Sequence, residues 1–116
     1  MFVPSLLLKR LYTTGSLKNT EQGVQFSIKN RLSDAELVAV GGVAIDGIPV
    51  PPQALSLDLG EGRMLSPDHV SADRPLAFPL RTVVTIRAGV EPLPLGKHEI
   101  EIAFEAKPFG KLKFSV

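Results

Sequence analysis

The sequence contains no cysteine and no tryptophan, and its single tyrosine is Tyr12. The first absence excludes disulfides, thiolate metal sites and a cysteine nucleophile together, and it favours a cytoplasmic setting. The shortage of Trp and Tyr removes the aromatic platform typical of sugar-binding modules. Excess charge of either sign is also missing: 13 Lys and Arg face 12 Asp and Glu, for a formal net charge of +1. Nucleic-acid binders draw much of their affinity from a clustered basic excess. Here the positive charges are scattered and matched, so no nucleic-acid partner is expected. No apolar run approaches the roughly 20 residues that a membrane-spanning helix needs. The apolar stretch at the N-terminus comes before the basic pair Lys9-Arg10 rather than after it, and no small-residue cleavage site follows. It reads as a first β-strand, not as a secretory signal.

What is present is punctuation. Ten prolines and ten glycines interrupt the 116 residues at short intervals and leave few windows long enough for a helix. A chain of this length suits one domain, 1–116, with a single core. Short runs of period-two alternation between turn signals predict an all-β protein, an antiparallel β-sandwich of about eight or nine strands, immunoglobulin-like or jelly-roll-like. The C-terminus is the clearest case. Ile100, Ile102, Phe104 and Ala106 share one face against Glu99, Glu101 and Glu105, and Leu112, Phe114 and Val116 then alternate with Lys111, Lys113 and Ser115. This predicts a hairpin with one buried face and glutamates near lysines on the other.

A second hairpin is signalled by Val43 to Val50, with Asp46-Gly47 as a favoured two-residue turn and Pro49 confining the returning strand to an edge. Further strands are expected over 23–30, 54–59 and 81–88, and also over 6–13 and 36–40. Ser66-Pro67 is a helix-start signal, but Pro75 leaves room for one or two turns at most.

Catalytic patterns are scarce. The two histidines, His69 in a loop and His98 at a strand start, lie in no metal-ligand spacing. Glu99, Glu101 and Glu105 could pair geometrically, yet their face is flat and solvated, with no pocket to raise a pKa. There is no G-x-S-x-G elbow, and Gly60-Glu61-Gly62 is a tight turn rather than a phosphate loop. An enzyme working through His98 and a strand glutamate would need those groups to converge in a cleft.

Apolar residues are plentiful near the turns: Ile48 to Pro52, Met64-Leu65, Leu76 to Leu80, Pro92 to Leu95 and Pro108-Phe109. Pre-ordered by proline, they suit a recognition surface on a rigid scaffold. The alternative is that they cap the open ends of the sandwich. As a partner interface the candidates are Met64, Leu65, Phe78 and Phe109 with Arg63 at the rim, since aromatics, Met and Arg are enriched at interfaces.

The order of the landmarks Gly23-Val-Gln-Phe-Ser-Ile-Lys-Asn30, Val43-Ala-Ile-Asp-Gly47 and Leu93-Pro-Leu-Gly-Lys-His-Glu-Ile100 resembles the small β subunit of bacterial C-glycoside deglycosidases, from about residue 20 to the end. The resemblance implies a non-catalytic accessory subunit in a hetero-oligomer. Its partner would be a larger TIM-barrel subunit that carries the divalent metal and the acid/base residues, while this chain binds no cofactor or metal. Two other readings stand beside it: a stand-alone ligand- or carbohydrate-binding module, and an enzyme in its own right. Homo-oligomerisation is compatible with all three, because exposed sheet edges readily pair.

Overall fold

The computed structural model describes residues 4–94 and 96–116, and ten strands among them form two five-stranded antiparallel sheets. The first sheet runs β1 (Lys18–Thr20), β2 (Gly23–Lys29), β8 (Val83–Ala88), β5 (Leu55–Gly60) and β6 (Arg63–Leu65). The second runs β10 (Gly110–Ser115), β9 (Ile100–Lys107) and β3 (Ala35–Ile45). On the far side of β3, β7 (Leu76–Phe78) pairs with its start and β4 (Ile48–Pro49) with its end. The all-β sandwich expected from the alternation is what forms.

Alternation builds the core directly. Ile100, Ile102, Phe104 and Ala106 of β9 are buried, and Leu112 and Phe114 of β10 stand in register with Phe104 and Ile102. They form one cluster with Val24, Phe26 and Ile28 of β2, Val84 and Ile86 of β8, and Leu55 and Leu57 of β5. Burying each such side chain contributes roughly 1.5–3 kcal/mol. On the outer face of this C-terminal hairpin Lys113 Nζ lies 3.2 Å from Glu101 Oε1, and Lys111 is in register with Glu105. At the second hairpin Asp46 and Gly47 have φ of 52° and 81°, the two positive values that match the twist of the flanking strands. Pro49 does sit in a two-residue edge strand.

Three expectations change. Residues 6–13 are not a strand: Ser5–Leu8 form one α-turn and Lys9–Leu11 a 3₁₀ turn. The Pro4 carbonyl accepts from the N–H groups of Leu7 and Leu8 at 2.9 and 3.1 Å, and Leu8 and Leu11, three apart, are the pair that is buried. Arg31 fastens this segment, its Nη1 donating to the Arg10 carbonyl at 2.6 Å. The runs 36–40 and 43–45 are one strand, β3, because register shifts between Leu37 and Ala39 and between Val40 and Gly42 absorb the break in alternation. Finally, β1, β6 and β7 have three residues each, too few to show a period. The turn foreseen after Ser66 is a 3₁₀ turn, Pro67–His69.

One polar residue joins the sheets. Asn30, 2% exposed, follows β2 and donates through Nδ2 to the carbonyls of Phe78 (2.6 Å) and Ser33 (2.7 Å), while its Oδ1 accepts from Leu32 N–H at 3.1 Å. Its backbone adds bonds to Thr82 and Arg81. No helix among the described residues is long and apolar enough to cross a membrane.

Candidate functional site

One end of the sandwich carries the most organised surface. There the β3–β4 hairpin faces the loop 90–94, and an apolar groove of about 300 Å³ lies between them. Ile45, Ile48, Pro49 and Val50 form the hairpin wall, and Val90, Pro92 and Leu93 the loop wall. Its charged groups are Asp46 and Glu91, and Ile48 is 70% exposed at its mouth. On the other side of the loop a second depression of about 230 Å³ is lined by Leu17, Lys18, Asn19, Leu93, Pro94, Gly96 and His98. Leu93 borders both, so the loop is a ridge between two grooves.

The ridge is pinned twice. Asn19 of β1 exchanges two hydrogen bonds with the backbone of Leu93, each 2.9 Å. His98 holds the next residue: its Nε2 lies 2.6 Å from the Pro94 carbonyl oxygen and its Nδ1 2.7 Å from Asp46 Oδ2. The other Asp46 oxygen accepts from Glu99 N–H at 2.9 Å, and Asp46 N–H donates to the Glu99 carbonyl at 2.8 Å. The hairpin turn, the ridge and the start of β9 therefore meet at one side-chain pair. The Asp46 carboxyl is held below the usual carboxylate range, first by His98 and then by the Glu99 N–H. The His98 imidazole is raised above its ordinary value, first by Asp46 and then by the Pro94 carbonyl, against a smaller opposing effect of burial.

The residues picked from the sequence as an interface are not brought together into one patch. Arg63 and Met64 are exposed on β6, the edge of the first sheet, with Leu65 half-buried beside them. Phe78 is 2% exposed, on the strand that pairs with the start of β3 in the other sheet. Phe109 is half-buried in the β9–β10 turn and shares with Phe78 a core void of about 10 Å³. Burial of Phe78 takes it out of any surface: the three-residue strand that turns it inward has no visible period. Two of the apolar loop clusters do converge, Ile48 to Pro52 and Pro92 to Leu95, although Leu95 itself lies outside the described residues, as does the start of the N-terminal run, 1–3.

The histidines stay apart in the structure as well as in sequence. His98 pairs with Asp46, a turn residue, and not with a strand glutamate. His69 Nδ1 lies 3.1 Å from the Ser66 hydroxyl in an exposed turn. Among the described residues no group of three or more His, Asp or Glu could hold a metal ion. The Asp46–His98 pairing escaped the sequence because it joins residues 52 apart. The signal that could have found it is the coincidence of a two-residue turn and a strand start, each carrying a titratable group.

Comparison with sequence families shows a match over residues 7–116 to the family described as hydroxymethylglutaryl-CoA reductase, N-terminal domain. A search of curated proteins finds no match. The family match overturns the resemblance to the β subunit of C-glycoside deglycosidases. The motifs behind that resemblance are explained by the fold. Position 23 needs glycine because φ is 136° and a Cβ there would run into the Ala88 carbonyl, and Asp46-Gly47 makes a turn that many β-proteins share. The TIM-barrel partner and its divalent metal, implied by the resemblance alone, lose their basis with it. The chain belongs to the hydroxymethylglutaryl-CoA reductase N-terminal domain family.

Proposed function

We propose that this domain is a non-catalytic accessory module that docks on a larger catalytic unit through the groove between the β3–β4 hairpin and the loop 90–94. The name of its family makes a hydroxymethylglutaryl-CoA reductase catalytic unit the candidate partner. The observation that supports this reading is the groove itself: about 300 Å³, walled by aliphatic side chains and prolines, with Ile48 70% exposed at its mouth. A proline-bordered wall loses little conformational entropy when covered. An exposed aliphatic side chain beside an apolar recess suits a protein contact.

The test is co-purification of the tagged domain with its native partners, comparing Ile48→Asp with Met64→Asp on the distant edge strand. Ile48→Asp is expected to weaken capture of the catalytic unit tenfold or more, about 1.4 kcal/mol, with the circular dichroism unchanged. Equal capture by both variants would sink the proposal. A second reading is favoured by the size of the groove, which reaches the lower end of small-ligand pockets, roughly 300 Å³. That ligand would be apolar rather than a sugar, because among the described residues the lining beyond Asp46 and Glu91 is aliphatic side chains and prolines.

A further inference from the structure

We propose that His98 and Asp46 form a pH-operated latch that fixes the ridge 90–94 against the β3–β4 hairpin and so sets the shape of the groove between them. The argument begins with hydrogen-bond chemistry. Both ring nitrogens of His98 face oxygen acceptors, the Asp46 carboxylate at 2.7 Å and the Pro94 carbonyl at 2.6 Å. A neutral imidazole has one N–H and one lone pair. Whichever tautomer it took, one lone pair would point at an oxygen within van der Waals contact. Only the imidazolium, donating from both nitrogens, satisfies the site.

The charged groups around it are Asp46 from the hairpin, Lys18 from β1, which lines the same depression, and the chain neighbours Lys97 and Glu99. Asp46 is the one in ion-pair contact, and its carboxylate, followed by the Pro94 carbonyl, outweighs the opposing effect of burial, so His98 is shifted upward.

Loss of the proton therefore breaks one of the two bonds. The bond to the carboxylate is the stronger, since its acceptor is charged. The remaining proton stays on Nδ1, and the Nε2 lone pair then repels the Pro94 carbonyl. Pro94 is released while the hairpin turn stays paired. Leu93, adjacent to Pro94, lines both grooves; with the Pro94 anchor gone its two bonds to Asn19 are the remaining tie, and a shift of the ridge about that tie alters the walls of each groove. At acid pH a different failure follows: protonation of Asp46 removes the charged partner, and the hairpin turn is left with its backbone bond to the Glu99 carbonyl. The latch is closed in the window between the two titrations.

That the latch regulates binding rests on the groove reading given above. The latch itself does not, and its test uses the protein alone. Long-range ¹H–¹⁵N spectra of the histidine rings from pH 5 to 9 should show both His98 nitrogens protonated at the acid end. Above the His98 midpoint the Nδ1–H tautomer should appear. Over the same range the Leu93 and Gly96 amides should shift with the His98 midpoint. In Asp46→Asn, where one oxygen still accepts from Glu99 N–H, the His98 midpoint should fall by about one pH unit, tenfold in proton affinity. His98→Gln should leave the Leu93 and Gly96 amides flat across the range. A His98 that is neutral at pH 5, an Nε2–H tautomer at high pH, or titration with silent ridge amides would each overturn the latch. Should His98→Gln fail to fold, the wild-type titration and Asp46→Asn decide. A latch that titrates as described in a domain that captures no partner would refute the docking reading and leave the latch standing.

Discussion

Removing the side chain of Asn30 tests whether the two sheets are held together by packing alone. The residue is 2% exposed and its amide makes three hydrogen bonds, to Phe78, Ser33 and Leu32. Its backbone bonds to Thr82 and Arg81 do not involve the side chain, so Asn30→Ala isolates the amide. Each lost bond costs about 1 kcal/mol, and the Phe78 carbonyl, stranded in the interior, costs up to about 1 kcal/mol more. The sum is about 3–4 kcal/mol, a large part of the roughly 5–15 kcal/mol that holds a domain of this size. At ~4 °C per kcal/mol the melting temperature should fall by about 12–16 °C. Urea unfolding read by tryptophan is impossible here, so circular dichroism or Tyr12 fluorescence serves as the probe. Asn30→Asp is expected to be worse at neutral pH, because an oxygen then faces two carbonyls where Nδ2 donated, and to recover in part as the carboxyl is protonated. A loss below about 1 kcal/mol for Asn30→Ala, with an unchanged denaturant slope, would refute the claim that this amide ties β2 to β7.

Gly23→Ala should destabilise by ~3 kcal/mol or more, measured by denaturant titration, since φ is 136° and the new Cβ would collide with the Ala88 carbonyl. Phe26→Ala, at 1% exposure in the middle of β2, should cost about 3–5 kcal/mol. Lys113→Ala should change stability by less than about 0.5 kcal/mol, because the Glu101 pair is exposed, and even that difference should vanish in 1 M salt. The folded-state value of His98 is raised, so its contribution is full below about 6.5, the value of a free histidine, and is lost as pH rises through the folded-state midpoint. Asp46 is lowered, so its contribution is present above about 3.9 and is lost as pH falls through its own folded-state midpoint. The stability advantage of wild type over His98→Gln should therefore be greatest near pH 5 and should shrink in the alkaline range.

The sequence by itself determined what is local. Period-two alternation marks the inward faces of β2, β5, β8, β9 and β10, because successive side chains of a strand point to opposite sides whatever the tertiary context. Asp46-Gly47 marks its turn because both residues tolerate positive φ, and Pro49 marks an edge because it has no N–H to give. Tertiary structure decided the rest. Leu8 and Leu11 became a helical pair since residues 6–13 meet the sheet through a single bridge, Tyr12 to Ile28, and otherwise cover a patch of core instead of joining a full ladder. β3 stayed one strand since β9 pairs along its length and tolerates two bulges. Phe78 went inside rather than to a surface since three hydrogen-bonded residues on β3 orient it. The Asp46–His98 pair and the grooves beside it belong to the same class: they join residues far apart in the chain, and their distances are set by how two sheets stack, a quantity that no local pattern encodes.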